Sequence, residues 1–177
     1  SARREFWLDL SNADDRARYM DQEPPGPWQE TVEGGKVAFT LSDIFRLPER
    51  EEKGSPRFAL YAAGPVYGVD GRFLGTVVIQ VGAEQLFSIV QNRSGLGKTG
   101  ETELVGQSAG EVLFLGPLRH DPDAALTRSI PLGGKRDIPA QRSVLGRASA
   151  GRFADYRGVE TVAVFRHLPV EGKMWGL

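Results

Sequence analysis

Cysteine is absent from this 177-residue chain, and histidine occurs only twice, at His120 and His167. The lack of thiols excludes disulfides, thiolate metal sites and cysteine nucleophiles. Two histidines also offer little material for Ser-His-Asp or Cys-His catalysis. His120 lies among carboxylates and could help to bind a metal, but a loop histidine surrounded by charges is more often solvent-exposed. We therefore expect a protein that is not an enzyme and that carries no metal or cofactor.

Long apolar runs and an excess of one charge are absent too. No stretch approaches the ~20 apolar residues that a membrane helix needs, and no signal peptide opens the chain. Lys plus Arg number 22 against 23 Asp plus Glu, which gives a formal net charge of −1. Because nucleic-acid-binding proteins usually carry a basic surface, we expect no nucleic-acid partner. Hydrophobic residues make up 40% of the chain, a share typical of globular proteins with a sizeable core.

The clearest secondary structure is predicted in the middle of the chain. Residues 58–67 and 72–81 are apolar runs rich in β-branched side chains. Asp70 and Gly71 stand between them, and Asp-Gly in that position is a strong hairpin pattern because both residues tolerate positive φ. Apolar residues at helical spacing then predict a short amphipathic helix over 84–93.

A second group of strands is predicted after this helix, with a turn at 108–110. Residues 116–150 are polar and irregular, with one helical turn at 123–126. The sequence around Pro65 is weakly repeated around Pro169, since each Pro-Val is followed by an acidic residue, a glycine and a basic residue. This repeat favours two related modules. The β-like stretches outside the central hairpin are 37–45, 102–105, 112–115, 151–156, 159–166 and 173 onward.

One glycine-rich motif invites a nucleotide-binding interpretation. Residues 95–100 match G-x-G-x-x-G and include a Gly-Lys-Thr. Both kinds of phosphate loop need a strand before the glycines and a helix after them, because phosphate binds at the free N–H groups of a helix N-terminus. Here a predicted helix comes first and a strand follows, so we expect a helix end and a turn, with a nucleotide enzyme or hydrolase as a minor alternative. Glu101 and Glu103 alternate along that strand, which indicates ordinary solvent exposure.

Aromatic residues with polar neighbours in the first half of the chain favour a small-molecule pocket, since pockets combine apolar walls with a few placed polar groups. For each aromatic residue alone, a place in the core is the stronger interpretation. A one-residue change of strand register also exchanges pocket-facing and core-facing positions. The candidate ligand-binding residues are Tyr19, Trp28, Asp43, Arg46 and Tyr61.

Three segments together resemble a known family. Residues 37–81 include a strand that ends in Ala-Ala-Gly-Pro-Val and continues into Asp-Gly-Arg-Phe-Leu-Gly. Residues 96–106 read Leu-Gly-Lys-Thr-Gly-Glu-Thr-Glu-Leu-Val-Gly, and 155–177 run from Asp-Tyr-Arg-Gly to a final Trp-Gly-Leu. In order and spacing these segments resemble the double Cache domain, the tandem PAS-like extracytoplasmic sensor of bacterial histidine kinases, chemoreceptors and diguanylate cyclases.

The resemblance implies an α+β fold of two PAS-like (Cache) modules, each an antiparallel β-sheet flanked by helices. We expect a membrane-distal module at 1–82 that is incomplete at its N-terminus, a connecting helix at 83–95 and a membrane-proximal module at 96–177. The implied function is the periplasmic sensor region of a transmembrane receptor, in the first place a sensor histidine kinase, that binds a small ligand. The resemblance further implies a homodimer, tethered to the membrane through segments outside this sequence.

The chain departs from the family in two places. The first strands of a distal module are not recognisable in 1–36, and the aromatic–Arg–aromatic constellation of amino-acid-binding members cannot be placed. An amino-acid ligand is therefore not predicted. The alternatives are a structural or protein-interaction module of the same kind of receptor, without ligand, and the sensor region of a chemoreceptor or diguanylate cyclase.

Overall fold

The structure, a computed structural model, describes residues 40–47, 57–133, 138–170 and 172–177. In these ranges the chain forms eleven strands and two short helices. The strands are β1 (Thr40–Leu41), β2 (Phe45–Arg46), β3 (Phe58–Tyr67), β4 (Phe73–Gly82), β5 (Val105–Ser108), β6 (Glu111–Phe114), β7 (Ser129–Pro131), β8 (Ser149–Ala154), β9 (Glu160–Phe165), β10 (His167–Leu168) and β11 (Trp175–Gly176). The helices are α1 (Glu84–Val90) and α2 (Pro139–Val144).

The chain divides into two compact units, and the division runs through β3. Of the described residues, the first unit combines 40–43 with Leu60–Val81, and the second combines 44–47 and 57–59 with those that follow Val81. The predicted module boundaries at 82 and 96 are not tested by this division and stay a prediction. In the part of the chain that the structure describes, no helix is long and apolar enough to span a membrane.

The first unit contains the predicted hairpin. β4 pairs with β3, and the turn between them places Gly71 at φ +75°. Glycine adopts positive φ without the clash that a Cβ would cause, so Asp-Gly fits this turn. The Gly68 N–H donates to the Arg72 carbonyl at 2.8 Å, and the Arg72 N–H donates to Asp70 Oδ1 at 3.1 Å. The short-range prediction of a hairpin is confirmed.

The second unit is built on an antiparallel sheet with the strand order β10-β11-β5-β6-β7. The β8–β9 hairpin adjoins it, because Arg166 exchanges two backbone hydrogen bonds of 2.9 Å with Leu177 and leads directly into β10. The backbone of Gly176 lies against the Ser143 side chain of α2. A Cβ at position 176 would therefore collide with that side chain. The core of the unit consists of Val105, Val112, Phe114, Leu118, Ala124, Ile138, Ala140, Val144 and Tyr156.

The interpretation of 116–150 as irregular is wrong, because this segment contains β7 and α2. The buried positions of α2 include Gln141 and Ser143 as well as alanine and valine, so no apolar stripe marks the helix in the sequence. Pro139 begins the helix at a position where its missing N–H costs little. The Gln141 side chain accepts a hydrogen bond from the Ile138 N–H at 3.2 Å and donates to the Pro131 carbonyl at 2.7 Å.

Candidate functional site

The structure distributes the predicted pocket residues over both units. Tyr19 and Trp28 lie outside the described residues. Tyr61 is buried in the first unit, and its N–H donates to Ser42 Oγ at 2.7 Å while the Ser42 N–H donates to the Tyr61 carbonyl at 2.9 Å. Asp43 follows Ser42 in the chain and is exposed. A pocket that combines these residues stays a prediction.

Arg46 belongs to the second unit and packs against an aromatic ring there. Its guanidinium lies 5.2 Å from the centroid of Phe58, the residue opposite Arg46 in the β2–β3 pair. It also donates a long hydrogen bond of 3.5 Å to the Ala125 carbonyl. The Phe58 ring meets Phe87 of α1 edge-to-face at 5.5 Å. These contacts give Arg46 a structural part in joining β2, β3 and α1.

A cluster of charged side chains surrounds a buried tyrosine in the second unit. We call it the Tyr156 cluster. The Tyr156 ring is only 4% exposed, and it packs edge-to-face on Phe114 with 5.6 Å between centroids. Its hydroxyl donates to Glu101 Oε1 at 3.0 Å. The cluster consists of Glu101, Glu103, Arg119, Asp121, Arg128, Asp155, Tyr156 and Arg157.

Glu101 and Arg119 connect the cluster to the glycine-rich motif. The second oxygen of Glu101 accepts the Arg119 N–H at 2.7 Å. The Arg119 guanidinium donates to the Gly100 carbonyl at 3.2 Å and to the Lys98 carbonyl at 2.5 Å. The motif at 95–100 follows α1 and precedes β5, as expected, and two of its carbonyls are directed at an arginine. A phosphate loop instead presents N–H groups at the start of a helix.

Two arginines flank the Tyr156 ring, each held by its own carboxylate. The guanidinium carbons of Arg128 and Arg157 lie 5.0 and 5.6 Å from the ring centroid, within cation–π range. Arg128 pairs with Asp121 at 2.9 Å. Arg157 donates two side-chain hydrogen bonds, of 2.7 and 2.9 Å, to Asp155 Oδ2.

Asp155 also organises the turn between β8 and β9. Its Oδ1 accepts the N–H of Arg157 at 2.8 Å and that of Val159 at 3.0 Å. Burial alone would raise the pKa of Asp155, but these hydrogen bonds and the Arg157 charge outweigh burial and hold the pKa below its usual value. Asp155 is therefore ionised at neutral pH and fixes both the turn and Arg157.

Glu103 differs from the other carboxylates of the cluster because it has no hydrogen-bond or ion-pair partner among the described residues. Burial raises its pKa to about 7, and the negative charges of Glu101 and Asp155 add to this effect. Arg157 and Arg128 oppose the shift without cancelling it. Glu103 therefore exchanges a proton near neutral pH, whereas hydrogen bonds and the Arg157 charge hold the pKa of Asp155 below its usual value.

The expectation that Glu101 and Glu103 are ordinary solvent-exposed residues is wrong. Both are half-buried, and Glu101 is held by Tyr156, which lies 55 residues further along the chain. Carboxylates are rarely buried without partners, and such distant partners leave no trace in local periodicity. The only local sign of the cluster in the sequence is the Asp-Tyr-Arg-Gly turn. This turn supplies three members of the cluster, Asp155, Tyr156 and Arg157.

The two histidines lie outside this cluster. His120 is exposed, and the Nδ1 of His167 on β10 is buried without a hydrogen-bond partner in the described ranges. Trp175 Nε1 on the neighbouring β11 is in the same situation. The described residues contain no group of three or more histidines and acidic residues that could hold a metal ion.

The fold is similar to that of a solved sensor. The crystal structure of the periplasmic sensory domain of the Campylobacter jejuni chemoreceptor Tlp1 superimposes with a TM-score of 0.51 at 12% sequence identity. The match covers 84% of this chain and 51% of that one, so the chain spans about half the length of the Tlp1 structure. No protein-family model matches the chain, and the comparison with curated proteins gave no match. The prediction of antiparallel sheets is confirmed in the described residues, which form few helices, whereas the predicted arrangement of two PAS-like modules stays a prediction.

Proposed function

We propose that this chain is an extracytoplasmic sensor domain of a bacterial transmembrane receptor. The observation that carries the proposal is the shared fold with a periplasmic sensory domain over 84% of the chain. A sensor of this kind acts by population shift, because a ligand with different affinities for two receptor arrangements changes their ratio. Such a role requires no catalytic group and no cofactor.

Within this class we propose the double Cache family, supported by the segments 37–81, 96–106 and 155–177. For the output of the receptor, a sensor histidine kinase and a chemoreceptor are both consistent with the shared fold. We further propose that the receptor is a homodimer anchored through segments outside this sequence, and that it has no nucleic-acid partner. The net charge of −1 supports the last point.

We propose that a small ligand binds in the distal module. Of the five predicted ligand-binding residues, Asp43 and Tyr61 share the first unit, and we propose that they line its pocket. Asp43 supports this pocket best, because it is an exposed acidic side chain beside the buried Ser42–Tyr61 hydrogen bonds. A second candidate function is a protein-interaction module that binds no small molecule. The contacts of Arg46 with Phe58 and the burial of Tyr61 favour it, because two of the five side chains then have structural roles.

A thermal-shift screen against organic acids, amino acids, amines, purines and divalent metals separates the two candidates. A ligand of the native state raises the melting temperature in a saturable way, as linkage requires. The rise should disappear in Asp43→Ala and persist in Asp123→Ala, a matched change at an exposed aspartate of the second unit. If no compound shifts the melting of the folded protein, the small-ligand proposal fails and the interaction module replaces it.

A further inference from the structure

The sheet of the first unit has an open edge at β4. This ten-residue strand pairs with β3 on one side, and among the described residues no strand pairs with its other side. On the side of β3 away from β4, the neighbouring strand is β1. An edge strand of this length presents a row of backbone N–H and C=O groups to which a further strand can be added.

The side chains of β4 are mostly apolar, yet many of them are exposed. Five large apolar residues of the strand are between 36% and 56% exposed, namely Phe73, Leu74, Val77, Ile79 and Val81. Because successive side chains of a strand alternate between the two faces, this exposure belongs to both faces beside the open edge. At ~150–200 Å² for a fully exposed side chain of this size, these residues leave on the order of 400 Å² exposed, and contiguous apolar surface of that extent often marks an interaction site.

β4 also lacks the residues that usually prevent an edge strand from pairing with another chain. Natural proteins protect such edges with charged side chains, above all lysine, or with proline. The ten residues of β4 include neither a charged residue nor a proline. The β8–β9 hairpin of the second unit, in contrast, carries Arg152 on one strand and Glu160 on the other.

We propose that two copies of this domain associate through β4, by antiparallel pairing of β4 with the β4 of the second copy. This inference rests on the homodimer proposed above and assigns an interface to it. A two-fold axis near the middle of the strand makes every contact reciprocal. The residues that flank the strand have opposite charges, Arg72 before it and Glu84 after it. Antiparallel pairing brings the Arg72 flank of one copy to the Glu84 flank of the other, whereas parallel pairing would bring like charges together.

The size and the shape of this sheet favour a closed pair of copies. β1 has only two residues, so it cannot receive a ten-residue strand in a head-to-tail contact, and the pairing ends at two copies. A stable interface takes about 800 Å² from each partner. The exposed apolar side chains of β4 supply roughly half of this area, and the backbone of the open edge and the exposed Val66 and Tyr67 of β3 add to it.

The first experiment is sedimentation equilibrium of the 177-residue chain over a concentration series. The mass should rise from 19.4 kDa to twice that value. Val77→Lys should raise the dissociation constant at least about tenfold, because it brings two lysines together near the two-fold axis. Val162→Lys, at a residue of β9 that is 80% exposed, should leave the dissociation constant unchanged.

Two results of this experiment would overturn the proposal, and they differ in what they say of the homodimer. A dimer that Val77→Lys does not weaken has its interface elsewhere, and the homodimer itself then stands. A chain that stays at 19.4 kDa at every concentration leaves the homodimer to segments outside this sequence.

The second experiment needs no substitution and measures hydrogen exchange of the backbone amides by NMR. The N–H groups on the open edge of β4 should exchange more slowly at a concentration at which the dimer forms than at one at which the chain is monomeric. The amides of β9 should exchange at the same rate in both samples. Equal exchange of the β4 amides in the two samples contradicts the pairing.

Discussion

The contact of Tyr156 with Glu101 depends on a single oxygen atom, the Tyr156 hydroxyl. Removing this hydroxyl therefore tests what the contact contributes to the stability of the cluster. Tyr156→Phe keeps the ring contacts with Phe114, Arg128 and Arg157. It deletes the donor to Glu101 Oε1 and the acceptor of a hydrogen bond from the His120 backbone. Burial, followed by the hydrogen bond to Glu101, raises the pKa of Tyr156 to about 12, so the phenol is a donor throughout the neutral range.

The expected cost follows from the charge and burial of the acceptor. A hydrogen bond to a charged group contributes ~1.5–3 kcal/mol, and an acceptor left buried without a donor loses a comparable amount. Glu101 is half-buried and keeps its hydrogen bond from the Arg119 N–H, so water can recover part of the loss. We expect Tyr156→Phe to lower the free energy of unfolding by about 1–2 kcal/mol.

Urea denaturation at neutral pH, followed through NMR signals of second-unit amides, measures this loss. Val162→Thr, at a residue of β9 that is 80% exposed, is the control and should stay within about 0.5 kcal/mol of wild type. A double-mutant cycle with Glu101→Gln should give a coupling energy of about 1 kcal/mol. A loss for Tyr156→Phe below ~0.5 kcal/mol, or zero coupling in the cycle, would refute this account of the contact.

Two further changes test the packing and the turn of the second unit. Gly176→Ala should lower the free energy of unfolding by ~1–3 kcal/mol, because the added Cβ collides with Ser143 of α2. Adding Ser143→Ala to this variant should restore part of the loss. An unchanged urea midpoint for Gly176→Ala would contradict the close approach of these two residues. Asp155 contributes stability above its ordinary pKa of 3.8, because its pKa is lowered in the folded chain, and Asp155→Asn should lose this contribution. The free energy of unfolding of the variant should therefore fall less on acidification than that of wild type. Identical acid-unfolding curves for variant and wild type would disprove that role of Asp155.

Local patterns predicted the elements that local interactions determine. The β3–β4 hairpin depends on an Asp-Gly turn between two apolar strands, and both features are visible in the sequence. The predicted strand over 102–105 lies too early, since β5 is Val105–Ser108. Helix α2 was missed because buried polar residues interrupt its apolar face. Its place is set by the approach to Gly176, a contact between distant parts of the chain.

The Tyr156 cluster could not be predicted from local patterns for a related reason. Glu101 and Glu103 look like the outward face of a strand when only their alternation is considered. Their burial is made possible by groups that follow much later in the chain, above all Tyr156. Of the predicted pocket, the described residues show that Tyr61 is buried and that Arg46 is engaged with Phe58, and they leave its ligand-binding role a prediction.

The proposed location of this domain on the outer side of the cytoplasmic membrane is tested most directly by labelling from outside intact cells. The 177 residues contain no cysteine, and Val162 on β9 is 80% exposed, so Val162→Cys adds one accessible thiol to the domain. The full-length protein with and without this change would be treated with a membrane-impermeant maleimide. The account predicts that the substituted position is labelled in intact cells. Labelling of that position only after lysis would contradict the account.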